Sequence, residues 1–178
     1  MKKISVRDTA RCAMIAALYF VISVAMLPLS FGAVQVRIAE ALTLLPVLTP
    51  LGVWGVTLGC ILTNAYGVAA GANILGAADV LIGSAATLTA ALMTRRLRSV
   101  RIAGLPVFAA IPPVVVNAVV IGAELTFAET GQLAASPLLW FNMTRVGLGQ
   151  LLACAVLGLP LVWAFRRFGL DKRLFEDR

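Results

Sequence analysis

The chain of 178 residues contains no histidine. It therefore lacks the side chain that most often ligates metals and most often serves as a general base near neutral pH. It also contains no lysine between Lys3 and Lys172. A Walker A loop, G-x-x-x-x-G-K-[ST], needs a lysine that reaches the nucleotide phosphates, so any ATP-driven step must belong to a partner. H-E-x-x-H and G-x-S-x-G are missing, and no second membrane aspartate accompanies Asp79 to form a carboxylate dyad. With no nucleophile or base to assign, the chain reads as a non-enzyme with no cofactor and no metal. Its three cysteines, Cys12, Cys60 and Cys154, lie in apolar segments without C-x-x-C spacing. That suits buried thiols acting as small hydrophobes.

Charge is scarce too. Only 13% of residues are charged, 61% are hydrophobic, and the mean hydropathy is +0.97. A soluble domain balances apolar and charged residues far more evenly. The sequence is that of an integral membrane protein, read as a single domain over residues 1–178. A helix needs about 20 residues to cross the hydrocarbon core, so the crossings would use almost the whole chain and leave no room for a soluble catalytic domain.

The net charge of +7 does not point to nucleic acid, because the basic residues are grouped. Lys2, Lys3, Arg7 and Arg11 form one cluster, Arg95, Arg96, Arg98 and Arg101 a second, and Arg166, Arg167, Lys172, Arg173 and Arg178 a third. Long apolar blocks separate them, which is the positive-inside pattern of a multi-pass protein. A basic start before an apolar run also resembles a signal peptide. The run is long, however, ends at Pro28 and lacks a clean small-x-small cleavage site, so it is read as a retained first helix.

Apolar runs and breakers predict helices over Thr9–Leu27, Val36–Leu48, Leu51–Tyr66, Ala77–Thr94, Leu105–Ala123 and Leu138–Phe165. Asp8 or Thr9 can cap the first. Six crossings put both chain ends and all three basic clusters on the cytoplasmic side, whereas five or seven would strand one cluster outside. Glu40, Asp79, Glu124 and Glu129 then fall near the outer ends of helices or in outer loops, as do Arg37 and Arg145. Asn64, Asn73, Asn117, Asn142 and Gln150 are distributed similarly. An outward-facing pocket would crowd polar groups in this way, and wetted outer loops would do so in part.

Several residues are candidates for such a pocket. Asn117 and Glu124, seven apart, share one helical face. An amide and a carboxylate together can read the edge of a polar heteroaromatic ring, although Glu124 could equally end its helix at the water interface. Arg37 and Glu40, at i and i+3, either pair with each other or line a cavity, since intramembrane ionisable groups mark substrate pathways. Asp79 is weighted towards a helix-start role over a ligand role. Trp54, Tyr66, Trp140 and Phe141 offer stacking faces or belong to an interfacial belt, with Trp140 the best placed to stack. In the first helix, Ala13, Ala16 and Ala17 are small residues on closely spaced turns that let another helix approach, and their basic-end position favours a partner protein.

These segments carry a resemblance. QVRIAEALTLLPVLTP after the first helix, then LGCILTN, ADVLIGSAATLTAALMT, PPVVVNAVVIGAEL and VGLGQLLACAVLGLPL, resemble in order the blocks of the queuosine-precursor transporter (QueT) family. Members of that family are substrate-binding S components of energy-coupling-factor (ECF) transporters. The resemblance implies an all-α bundle of six transmembrane helices in a bacterial plasma membrane. Such a protein captures a 7-deazaguanine (preQ0, preQ1 or queuine) from outside and associates with the membrane coupling protein EcfT and two cytoplasmic ABC ATPases. It also implies that Ala13 and Ala17 contact EcfT. The family pattern more often has Glu where this chain has Gln150. By the ring's chemistry, Glu124 or Glu40 would take its N–H edge, Asn117 its polar groups and Trp140 its face, with Arg37, Asn73, Asp79 and Gln150 completing the site. The loops Phe31–Gln35 and Gly67–Gly76 would close over it. An S component for another vitamin-like heterocycle, or a membrane scaffold that binds no metabolite, are the rival readings.

Overall fold

A computed structural model describes residues 5–26, 37–73, 75–133 and 136–175. The expected closing loop Phe31–Gln35, the break at Pro28 and Gly32, Lys2, Lys3 and Arg178 lie outside the described residues.

Among the described residues the chain is helical, with seven α-helices. Helix α1 (Val6–Ala25) begins three residues earlier than predicted, because neither Asp8 nor Thr9 is its cap. Ser5 is. Its hydroxyl accepts from the Asp8 amide at 3.1 Å, while the Asp8 carboxylate accepts from the Ser5 amide at 3.3 Å, a reciprocal capping box. The predicted second α-helix is a 3-10 helix, η1 (Ile38–Val47), with every residue from Ala39 to Val47 buried. A 3-10 run of this length is unusual. Pro46 has no N–H for an α-helical bond, and tertiary contacts on every side hold the rest. At about 2.0 Å of rise per residue its ten helical residues span less than the hydrocarbon core, and they lie at the centre of the molecule.

Helices α2 (Leu51–Ala69), α3 (Ala78–Arg96) and α4 (Ile111–Thr130) follow. A short 3-10 turn, Val107–Ala110, leads into α4, and Pro112 and Pro113 occupy its first turn, where a missing N–H costs nothing. The predicted last helix is interrupted. Helix α5 (Pro137–Leu151) passes through a π-helical stretch, Leu152–Gly158, into α6 (Leu159–Arg167), and α7 (Leu170–Phe175) ends the described chain. Pro160 cannot donate to the carbonyl one turn back, which favours the wider π turn just before it.

Four segments are long and apolar enough to cross a membrane: Val6–Ala25, Leu51–Ala69, Val107–Thr130 and Pro137–Arg167. Helix α3 has sufficient length but carries Asp79, Arg95 and Arg96, and it is not among them. Consecutive helices pack as neighbours from α1 to α5, while η1 touches α1, α2, α3, the π stretch and α6. Close approach depends on glycine. A Cβ at Gly59 would stand 2.6 Å from the Tyr19 Cβ, and one at Gly158 would stand 2.8 Å from Leu44 of η1. Gly55 and Gly59 on α2 thus form the small-x-x-x-small seam against α1, whereas the sequence pattern draws attention to the alanines of α1.

Candidate functional site

The polar centre is assembled from side chains that are distant in sequence. Arg37 sits at the N-cap of η1 with extended backbone, φ −88° and ψ 96°, so it does not share a helical face with Glu40. Its Nη2 lies 3.5 Å from Asp79 Oδ2 on α3. Of the two readings for Arg37 and Glu40, the local pair is not the contact found: the arginine reaches across elements to Asp79, and Glu40 accepts a hydrogen bond from the Tyr19 hydroxyl of α1.

Asp79 is completely buried. It stands in the first turn of α3 but does not cap it, since no side-chain cap bond forms there. Its Oδ2 instead accepts from Asn73 Nδ2 at 2.8 Å, and Asn64 Nδ2 donates to its carbonyl at 3.0 Å. Asn73 is held in turn by the end of α2. Gly71, at φ +67°, adopts the left-handed conformation, its amide donates to Val68 O, and the Ala72 amide donates to Gly67 O at 2.8 Å. This is a Schellman motif. The Asn73 amide adds a 3.0 Å bond to Gly67 O, and its Oδ1 accepts from the Leu75 amide. The loop expected to close over a ligand is thus tied back to α2 and positions Asn73 on Asp79.

Beside this network lies a small cavity of about 20 Å³ lined by Arg37, Glu40, Gly83, Thr87, Asn117 and Gln150, with Ile121 and Val146 as its apolar part. It can hold one water but not a bicyclic ring. Three of its acceptors are buried without a partner: Glu40 Oε2, Asn117 Oδ1 and Gln150 Oε1. Buried polar atoms are normally satisfied, and these three oxygens are acceptors that a donor in the cavity would satisfy.

The remaining candidates lie elsewhere. Glu124 does not end α4 at an interface; the helix continues six residues further to Thr130. Its carboxylate oxygens are both buried and unpartnered, yet it is not part of the cavity wall, standing one turn beyond Ile121. Trp140 is 64% exposed and stacks on nothing in the cavity. Trp54, Tyr66 and Phe141 are also exposed; Tyr66 packs edge-on against Phe20, and Arg145 lies over Phe141. All four aromatic candidates are peripheral, as interfacial residues would be. On α1, Ala13 and Ala17 are exposed, but Ala16 is buried against α2. Ala16 is therefore removed from the partner face, because Gly59 brings α2 onto it.

Two participants escaped sequence reading. Tyr19 was one, although its place on the Ile15 face of α1 was a usable signal. The other was the pair Gly83 and Thr87, which continues at four-residue spacing the stripe that Asp79 begins. Gly83 leaves room for the carboxylate beside it: a Cβ there would overlap Asp79 Oδ1 and come within 3.0 Å of Asn64 Nδ2. Asp79 is pinned by Arg37 and Asn73 and cannot swing aside without breaking both contacts. Gly83→Ala is expected to cost about 1–3 kcal/mol by overpacking, read as a lowered melting temperature in detergent. An unchanged melting temperature would mean that the Asp79 network is not rigid.

A model of the QueT transporter family matches residues 9–167. No curated protein and no solved structure matches the chain. The family is one of transporters rather than enzymes, and the four apolar spans make this a multi-pass membrane protein. The match runs from the first apolar helix through the last: the chain belongs to the QueT transporter family.

Proposed function

We propose that the protein is the substrate-binding S component of an ECF-type importer and captures a 7-deazaguanine from outside the cell. One observation carries this reading: the orphaned acceptors Glu40 Oε2, Asn117 Oδ1 and Gln150 Oε1 converge on one buried cavity. A 7-deazaguanine presents ring N1–H and an exocyclic amine side by side, which complements such a set. Arg37 lines the same wall and can donate to the ring O6. The cavity is too small for the ring as it stands, so binding requires α4 and α5 to part from η1 and α3. Glu124, one turn further along α4, would meet a cationic substituent such as the aminomethyl group of preQ1.

The topology proposed is six membrane segments with both ends cytoplasmic, η1 being a short buried second segment and α5–α6 a single interrupted crossing. Ala13 and Ala17 form the exposed small-residue face offered to EcfT, and two ATPases supply the ATP work, for which this chain has no Walker A lysine. Of the rival readings, a scaffold that binds no metabolite would pair Arg37, Glu40, Asn117 and Glu124 among themselves and leave no cavity; the unpartnered oxygens favour a ligand.

Mass spectrometry of small molecules co-purifying with the protein, followed by titration of preQ0, preQ1 and queuine, tests the ligand. Saturable binding of a 7-deazaguanine is expected, and binding of none of the three would overturn the assignment. Uptake by cells that lack EcfT or both ATPases would contradict the coupling mechanism.

A further inference from the structure

The basic end of the molecule has an organisation that orientation in the membrane does not require. Arg95 from the last turn of α3, Arg98 and Arg101 from the loop after it, and Arg166 from α6 surround a concavity of about 320 Å³, with Asp171 of α7 the one carboxylate on its wall. Charges that only set topology can be spread and fully hydrated. Here four arginines from three elements line one space.

Two of them are positioned by backbone. Arg95 Nη1 donates to Pro46 O of η1 at 2.9 Å, and Arg98 Nη1 donates to Arg95 O at 3.2 Å. Arg166 Nη1 is buried and has no acceptor. A buried guanidinium nitrogen without a partner is as costly as an orphaned carbonyl, and an anion would satisfy it. Guanidinium forks match phosphate oxygens in geometry as well as charge.

A second groove, of about 350 Å³, has Arg166 in its wall as well. It is lined by Leu105, Val162 and Trp163 together with Arg166 and Arg167, and Trp163 is 53% exposed. A soluble phosphate has no use for this apolar extension. An acidic protein segment would not need one that runs along the membrane-spanning helix α6. A molecule carrying both a phosphate and a hydrocarbon chain fits both parts.

We propose that an anionic phospholipid binds across these two neighbouring grooves, its phosphate held by Arg98, Arg101 and Arg166 and one acyl chain lying along Leu105 and Trp163. The ligand is identified by its chemistry: anionic headgroups attract clustered arginines at the membrane surface, and basic pockets between helices recognise them. The site is separate from the polar cavity around Glu40 and does not depend on what that cavity binds.

Native mass spectrometry of the full chain tests this after reconstitution into phosphatidylcholine bilayers with and without phosphatidylglycerol. Phosphatidylglycerol is expected to remain bound after extraction, and phosphatidylcholine to be lost. Arg98→Gln and Arg101→Gln alter exposed side chains and leave the fold intact; each should weaken phosphatidylglycerol binding about fivefold. Trp163→Ser should weaken the lipid without changing any effect of inorganic phosphate. Arg173→Gln, which lies outside the concavity, should change nothing. Equal retention by the Arg98 and Arg101 variants would overturn the proposal, as would an equal loss with Arg173→Gln, which would signal diffuse surface charge. Stabilisation by inorganic phosphate as large as that by phosphatidylglycerol would replace the lipid with a soluble anion, and binding that survives Trp163→Ser unchanged would remove the acyl chain from the site.

Discussion

Asp79→Asn is expected to destabilise the protein by about 3–5 kcal/mol, the usual cost of removing one partner from a buried ion pair. Asp79 is wholly inaccessible, and the Arg37 side chain that it meets at 3.5 Å is nearly so. Neutralising the carboxylate removes the counter-charge that this guanidinium meets at 3.5 Å, away from water. The Asn73 bond at 2.8 Å also loses its charged acceptor. The informative comparison is with the double variant Arg37→Met/Asp79→Leu. When both charges are replaced by apolar groups of similar size, neither remains to be solvated, and such replacements are often neutral or stabilising. Thermal unfolding in detergent should therefore show a large loss for Asp79→Asn and recovery in the double variant. Ligand binding should be lost in the double variant, which removes Arg37 from the cavity wall, and weakened in Asp79→Asn, which removes the carboxylate that Arg37 meets. A double variant no more stable than Asp79→Asn would mean that packing, not charge, sets the cost.

Glu40→Gln is expected to weaken binding of every 7-deazaguanine about 10–100-fold, the effect of losing one charge-assisted hydrogen bond. The substitution keeps an acceptor for the Tyr19 hydroxyl, so the fold should hold while the ligand-facing oxygen loses its charge. Glu124→Gln should behave differently. It lies a turn beyond the cavity wall, so it should weaken the cationic preQ1 by a similar factor and leave the neutral preQ0 almost unchanged. Titration of both ligands against both variants gives four affinities. Equal losses for preQ0 and preQ1 in Glu124→Gln would place Glu124 on the ring itself. No loss in either variant would remove carboxylates from ligand reading altogether.

The polar residues of the centre could be picked out by scanning for charge and amide groups in apolar sequence. Arg37, Glu40, Asn117 and Gln150 stand out in this way, and they meet around one cavity. Which of the polar residues pair does not stand out in this way. An i, i+3 spacing predicts a local pair only if both residues are helical, and Arg37 is an extended N-cap. Of the Asn117 and Glu124 pair, Asn117 lines the cavity and Glu124 does not, Ile121 between them being the last residue of α4 on its wall. For α1, the alanine pattern had no way to reveal that Gly55 and Gly59 on α2 would cover Ala16 and leave Ala13 and Ala17 outside.

Membrane residence, the basic ends, the approximate helix spans and the lack of a nucleotide site all follow from the chain as written. Each depends on composition or on near neighbours: hydropathy summed over a window, clustered arginines, a missing lysine, a proline. The pairing of Arg37 with Asp79, the bond from Tyr19 to Glu40, the 3-10 form of η1 and the exclusion of Trp140 from the centre depend on packing. A buried charge takes whichever partner the neighbouring helices bring within reach, and glycines at Gly59, Gly83 and Gly158 decide how near those helices come. That distance is a property of the assembled bundle, and no local stretch of sequence contains it.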